Sequence, residues 1–483
     1  MIKNSQSITQ IDDGILDKVE QLCSKEKFNK ASKLLSSFIL SCPVSLRAMQ
    51  LHANILFKQE KYDQAIDVLK QCLGVYPDVA DVWHTLGNIY RSCYKYEDAL
   101  ACYDTAIVKS PSFFFAYYNK GVLQQLEQND DAALTSFKLA VKVNNKFTPA
   151  CQSIIQIYKK KYRLFAAYKL CKRILKYDRE NDEIIMLLST LESEFGNIPE
   201  SIALMQMIKD SNKVGLPANA TTIYNLHLLA ETKQVQILKE SVNFSKKYLN
   251  PNFKKQCPHI NSPIAHRKIR IGFVSADFNL HPVARHLRPV IQNIDKSRFE
   301  IYAYNNRNVY DYVTTEFKGI FSFWRDIHGL SDSKAVEVIR LDTIDILFDL
   351  SGYTGCSRLV LFSYKPAPIQ ISWIGYFNTT GLAAMDYLMA DEVMITTAEE
   401  GLFTEKILRM PDIRFCYDPR LDLIPDVSSD LPLLKNGYIT FGAFTKVNKL
   451  NDEVIRCWCS VMRRLPKSRL ILKWPAYKDT YLV

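Results

Sequence analysis

The sequence predicts an all-helical repeat array followed by a doubly wound α/β region. Two observations carry this. Small, apolar and proline positions recur every 34 residues in the amino-terminal part, and from Ile269 onward short apolar runs alternate with helix-like segments. At 483 residues the chain calls for two or three domains, and its composition, 47% hydrophobic and 23% charged, is that of folded protein with large cores.

Ala31, Ala65, Ala99, Ala133 and Ala167 lie 34 apart, as do Pro43, Pro77 and Pro111. So do Leu35, Leu69, Tyr103, Phe137 and Cys171. This is the period of the tetratricopeptide repeat, a pair of antiparallel helices per unit. The clearest copy is DVWHTLGNIYRSCYKYEDALACYDTAIVKSP (81–111). There Trp83, Leu86, Gly87 and Tyr90 share one face of the first helix, with Ala99, Tyr103 and Ala106 facing them from the second. Pro111 stops that second helix. Gly87 and Ala99 mark a close helix approach, where larger side chains would overpack by about 1–3 kcal/mol. The next copy keeps Tyr117, Gly121, Ala133, Phe137 and Ala140. One copy cannot bury its own apolar face, so the units over 12–210 are expected to stack into a right-handed superhelix whose concave surface binds another polypeptide. Phe113, Phe114 and Phe115 suit a peptide contact, but packing between repeats is the preferred role.

SNKVGLPANATT (211–222) breaks the period, and 211–268 reads as a helical linker ending in the loop-rich NPNFKKQCPHINSPIAHRK (250–268). Strands are predicted at 269–274, 299–304, 344–350, 369–374, 386–390 and 438–444, with helix-like segments such as SKAVEVIRL (333–341) between them. That alternation indicates a mostly parallel sheet with helices on both faces.

The bulk properties exclude several classes. The net charge of +11 is spread over short runs such as YKKKYR (158–163) and FKK (253–255), which read as solvated helix faces, and no nucleic-acid-binding motif accompanies it. Twelve cysteines form no CxxC pair, and CWC (457–459) has the wrong spacing for zinc. No signal peptide is apparent, and no apolar run reaches the ~18 residues of a membrane-spanning helix. A cytoplasmic protein with reduced thiols and no membrane or nucleic-acid partner is expected.

Four loops at strand carboxyl ends gather the chemistry. SADFNLHP (275–282) carries His281. SGYTGCSR (351–358) offers Gly352 and Gly355 for close backbone approach and Arg358 as a cation. GYFNTTG (375–381) bears hydroxyls, and FTKVNK (444–449) carries Lys446 and Lys449 toward a helix. Together they suit an anionic, sugar-like ligand. Their spacing fits neither a P-loop nor a GxGxxG turn. Alone, His281 reads as a loop-closing polar residue more readily than as a catalytic one.

With the repeat array, the motifs RIGFVSADFNLHPVA, DLSGYTG, KPAPIQISWIGY, MDYLMAD and FGAFTKVNKLNDEVI resemble the O-linked N-acetylglucosamine transferase family, including its SPINDLY-like members. The resemblance runs from about residue 12 onward. It implies an inverting GT-B glycosyltransferase that moves N-acetylglucosamine from its UDP donor to Ser or Thr of proteins, with no cofactor and no metal. It divides the chain into repeats (12–210), linker (211–268), a Rossmann-like amino-terminal lobe (269–436) and the start of a carboxyl-terminal lobe (437–483). By motif matching, His281 lies beside the donor sugar and the reacting hydroxyl, and Lys449 neutralises the diphosphate leaving group. Gly375 lines the sugar pocket, and Tyr353, Arg358 and Thr379 belong to the donor-binding loops. Lys446 replaces a family glutamine near the nucleotide, and His227 in YNLH corresponds to another family histidine. The chemistry agrees: a fixed lysine stabilises a departing diphosphate, and a histidine can orient or shuttle a hydroxyl proton near neutral pH. Acceptor proteins in the repeat groove are the implied partners, and a homodimer is allowed.

Two departures qualify this reading. In GYFNT, Phe377 and Asn378 replace a proline and a glycine, which is expected to crowd the donor sugar or distort the turn. From Tyr438 the chain supplies one strand, one helix and one strand, without the family's histidine-threonine-threonine-glycine segment. The second lobe is therefore expected to be incomplete, and activity of the chain alone weak or absent. Donors such as fucose or glucose, and a non-catalytic repeat adaptor, are the alternatives.

Overall fold

The computed structural model describes residues 3–42, 44–248, 258–264, 266–417, 426 and 430–479. Pro43, and residues 250–257 and 265 of the predicted connector, lie outside the described residues. The chain divides into two compact units, residues 1–179 and 180–483.

The first unit is helical throughout its regular structure. It contains α1 (Lys3–Ser24), α2 (Phe28–Ser41), α3 (Leu46–Lys58), α4 (Tyr62–Val75) and α5 (Ala80–Ser92). There follow α6 (Tyr96–Lys109), α7 (Phe114–Leu126), α8 (Asp130–Val143), α9 (Thr148–Lys160) and α10 (Leu164–Ile174). The 34-residue period is written into the backbone as well as the side chains. Glu26, Glu60, Tyr94, Gln128 and Tyr162, at the turn inside each helical pair, all adopt positive φ between 54° and 61°. The next residue in each case donates its N–H to the carbonyl five positions back, from Lys27 to Leu22 through to Arg163 to Tyr158. These bonds close the helix end in the Schellman manner and hold a left-handed residue that costs a non-glycine side chain roughly 1–2 kcal/mol.

The periodic alanines are fully buried. A Cβ on Gly87 would lie 2.7 Å from the Tyr103 ring, and one on Gly121 2.7 Å from the Phe137 ring, so each glycine seats the aromatic of its partner helix. Phe114 and Phe115 pack against Phe147 of the next repeat, with ring centroids 4.8 and 5.5 Å apart, as inter-repeat packing requires.

The second unit opens with another hairpin, α11 (Asp182–Glu194) and α12 (Ile198–Met207), which keeps the backbone signature at Gly196 (φ 88°). Two further helices follow, α13 (Gly215–Leu226) and α14 (Gln234–Tyr248). The sheet region then runs β1 (Ile269–Ser275), α15 (Pro282–Asn293), β2 (Phe299–Asn305), α16 (Tyr312–Ile320), β3 (Phe323–Asp326) and α17 (Asp332–Leu341). It continues through β4 (Ile346–Asp349), α18 (Leu359–Ser363), β5 (Ile369–Ser372), β6 (Tyr387–Ala390) and β7 (Lys406–Arg409).

All seven strands are parallel, in the order β3-β2-β1-β4-β5-β6-β7. The helical array and doubly wound sheet are thus present as the sequence predicts. One core, with Tyr304, Leu347, Phe362 and Met385, and another, with Phe273, Leu287, Phe317 and Trp373, pack the sheet region. The strand order reverses between β1 and β4, the switch point at whose strand carboxyl ends open α/β sheets bind their ligands. Beyond it come α19 (Pro432–Asn436), β8 (Thr440–Ala443), α20 (Asp452–Arg464) and β9 (Arg469–Leu472). β8 and β9 pair in parallel, and none of the residues of β8, α20 or β9 is buried.

The ring contacts make the two glycine environments separable. Gly87→Ala is expected to lose about 1–3 kcal/mol in urea unfolding through overpacking. Gly74→Ala, with nothing within 4 Å of its Cβ, is expected to be neutral or to gain up to about 1 kcal/mol. Equal responses would contradict the close-approach account.

Candidate active site

The loops after β1, β4 and β5 meet at the strand carboxyl ends. Asp349, wholly buried at the end of β4, accepts the N–H groups of Ser351 and Gly352, both at 3.0 Å. Burial outweighs these bonds and raises its carboxyl to about 6. Gly352 (φ 52°) brings this loop onto Tyr376, whose Cβ would lie 2.2 Å from an added methyl. In the other direction, a Cβ on Gly375 would lie 2.0 Å from the Leu350 carbonyl oxygen. Both positions admit only glycine. Gly355, by contrast, has nothing within 4 Å, so the close approach expected of it falls to Gly352 alone.

His281 is the N-cap of α15, and its Nδ1 accepts the Val283 N–H at 3.3 Å. That bond leaves the proton of the neutral ring on Nε2, a donor. Burial lowers the imidazole below its ordinary range, opposed by the Asp277 carboxylate 3.6 Å away and reinforced by Arg307 and Lys446. Asp277 itself is raised by burial.

His227 caps the carboxyl end of α13 and is hydrogen-bonded to the Tyr376 hydroxyl at 2.9 Å. Its ring packs on Phe377 with centroids 4.8 Å apart. Burial pushes it down to about 4. His227, Phe377, Tyr224, Lys449 and Asn451 wall one cleft of about 330 Å³. His227 and Lys449, far apart in sequence, are therefore brought together. Lys449 is exposed, in a 3-10 turn (Val447–Lys449) just ahead of α20, and the Val447 carbonyl abuts the Gly196 turn. Lys446 is also exposed, with its ammonium 5.8 Å from the centre of the Trp474 ring.

Other candidates prove to be internal fastenings. Arg358 is not an available cation: its guanidinium donates to Asp332 (2.7 Å), Asn306 (2.9 Å) and the Leu330 carbonyl (3.2 Å), and so ties α17 to the loop after β4. Tyr353 is buried, and its hydroxyl donates to the Thr380 carbonyl at 2.6 Å. Thr379 is buried and donates to Glu405 at 2.8 Å, while the Thr380 N–H donates to the other oxygen of that carboxylate. Asn378 does not distort its turn, since its φ is not positive. It exchanges two amide hydrogen bonds with Gln234, at 2.6 and 2.8 Å, and pins the loop to α14. Phe377 is the larger consequence of the GYFNT departure: 45% exposed, it forms a cleft wall.

Sequence reasoning missed Tyr224, Asn451, Gln234 and Glu405. None of them left a signal of its own in the sequence; all become visible through tertiary contact. Among the described residues, no group of three or more His, Cys, Asp or Glu side chains is arranged to hold a metal ion.

Residues 249–430 match the family described as Glycosyl transferase family 41, and 46–79 and 87–128 match tetratricopeptide repeat families. Both parts of the chain are similar to the O-GlcNAc transferase/SPINDLY proteins. It is 33% identical over 217 residues to the probable UDP-N-acetylglucosamine–peptide N-acetylglucosaminyltransferase SPINDLY of Oryza sativa subsp. japonica, covering 44% of this chain and 23% of that one. The Caenorhabditis elegans UDP-N-acetylglucosamine–peptide N-acetylglucosaminyltransferase is 34% identical over 154 residues, 32% of this chain and 13% of its own. A mutant of the Thermobaculum terrenum O-GlcNAc transferase is similar in structure, with TM-score 0.69 and 25% identity over 76% of this chain and 70% of that one. The chain thus spans about a quarter of the length of the plant relatives it matches. Among its described residues, no helix is long and apolar enough to cross a membrane.

His227 gives a pH test. Its folded form binds fewer protons than the unfolded chain, so its contribution to stability is lost as pH falls from about 6.5 toward 4. The His227 ring protons are expected to titrate in NMR spectra with a midpoint near 4, and His227→Gln to flatten that part of the stability profile. A midpoint above 6 would contradict the buried pairing with Tyr376.

Proposed function

We propose that this chain is a protein O-glycosyltransferase that takes N-acetylglucosamine from its UDP donor to Ser or Thr hydroxyls, the acceptor being held by the tetratricopeptide repeats. One observation carries the reading: a single cleft brings Phe377, from the family-matched residues 249–430, together with His227 and Lys449 from either side of that segment in the sequence. An acceptor hydroxyl attacks the anomeric carbon from the face opposite the nucleotide, the bond to the β-phosphate oxygen breaks, and UDP leaves with the electron pair. The charge grows on the diphosphate, where the Lys449 ammonium stabilises it more than in the ground state. His281, with its donor on Nε2, holds an oxygen of the donor or acceptor in place, and the hydroxyl proton passes to another base or to water. Lys446 and Arg307 add positive potential around His281, which suits a doubly charged leaving group.

The exposed Phe377 favours a second reading, in which the donor sugar is fucose or glucose. A large aromatic wall in place of a proline reshapes the cleft without a clash inside the protein.

The test mixes the purified chain, alone and extended by the carboxyl-terminal lobe of a full-length relative, with UDP-GlcNAc, UDP-glucose or GDP-fucose and a Ser/Thr-rich protein, and reads mass added to the acceptor. N-acetylglucosamine transfer is expected from the extended chain, and in it Lys449→Ala is expected to lower turnover about 100-fold, as removal of an oxyanion-stabilising group does. Turnover of Lys449→Ala within threefold of the parent would overturn the leaving-group assignment. Transfer from another donor alone would replace the first reading with the second.

A further inference from the structure

The repeat unit carries a cleft of its own. α8 and α10, the second helices of successive repeats, flank a cleft of about 650 Å³ whose rim carries Lys138, Lys142, Lys169 and Arg173. No acidic residue lines it. All four cations are exposed, and among the described residues none of them joins an ion pair. Their neighbours behave differently: Lys120 pairs with Asp104, Lys160 with Asp130 and Lys161 with Asp131. The floor is apolar, formed by Val141, Ile154 and Leu170.

The repeat supplies its own control. Moving each cation back by one period of 34 gives Asp104, Val108, Thr135 and Leu139, and by two periods Lys70, Gly74, Ala101 and Thr105. Only one of these eight equivalents is a cation, so the helical scaffold does not demand positive charge there. Four like charges around one cleft repel one another, and no acidic residue lines the cleft to offset them. The arrangement fits a ligand that brings the negative charge.

We propose that the cleft between α8 and α10 docks an acidic segment of a partner polypeptide, its Asp or Glu side chains reaching the rim cations and an apolar side chain resting on the floor. A nucleic acid fits less well. Stacking a base needs an open aromatic face, and Tyr158 in this cleft has Lys138 and Arg163 within 5.8 and 5.1 Å of its ring centre. Exposed charges of this kind act over about a Debye length, so the contact is salt-sensitive.

The test is fluorescence anisotropy with a fluorescein-labelled Glu-Asp-Leu-Glu-Asp peptide on the full chain at low salt. Binding is expected to weaken at least tenfold in Lys142→Glu/Arg173→Glu, and also when the probe is changed to Gln-Asn-Leu-Gln-Asn. Lys142→Gln/Lys169→Gln, a milder change at the same rim, is expected to weaken it several-fold with the circular dichroism spectrum unchanged. Lys33→Glu/Lys70→Glu, which makes the same charge change elsewhere on the unit, is expected to stay within twofold. Equal binding by the parent and both rim variants would overturn the proposal. So would an oligouridylate of matched charge that binds the parent more tightly than the acidic peptide and is lost in the rim variants.

Discussion

The site depends on two loops that interlock at two glycines, Gly352 beneath the Tyr376 side chain and Gly375 against the Leu350 carbonyl. The loop after β4 lies against the turn after β5 because Gly352 and Gly375 have no Cβ to keep them apart. Closing that gap aims everything that follows. Tyr376 is packed down against Tyr353, its hydroxyl meets His227, and Phe377 is left facing outward onto the His227 ring. Asp349 holds the first loop by two backbone N–H groups, and Glu405 holds the second through Thr379 and Thr380. A methyl at either glycine would meet neighbouring atoms at 2.0–2.2 Å and shift all of these at once.

This explains why the polar residues of these loops divide into two groups. Arg358, Tyr353 and Thr379 have the chemistry of ligand contacts, but each is satisfied inside the protein and fixes one loop to another element. His281, His227, Lys446 and Lys449 keep a nitrogen available at a surface or cleft. Sequence cannot separate the groups, because a buried fastening and a ligand contact call for the same residue types. Only partner geometry does.

The central strands were legible because burial on both faces leaves runs such as Ile-Gly-Phe-Val at the end of β1. The edges were not. β3 is Phe-Trp-Arg-Asp and β7 is Lys-Ile-Leu-Arg, four residues each, half exposed and carrying charge as edge strands do. The repeat period was plain from its alanines, yet its most regular backbone feature was hidden. The left-handed turn residues are Glu, Glu, Tyr, Gln and Tyr, because hydrogen bonds and not glycine hold that conformation. The histidine and lysine of the site were readable through family motifs. The Gln234–Asn378 exchange was not, since its partners stand 144 residues apart.

The central claim is that the nucleotide-sugar meets one surface built from the α13 end, the turn after β5 and the Lys449 segment. Amide hydrogen exchange with and without saturating UDP-GlcNAc tests it most directly. Slower exchange is predicted in 224–230, 375–381 and 444–451 together, with 81–121 of the repeats unchanged. Exchange unaltered in 444–451 while the ligand is bound would contradict the account.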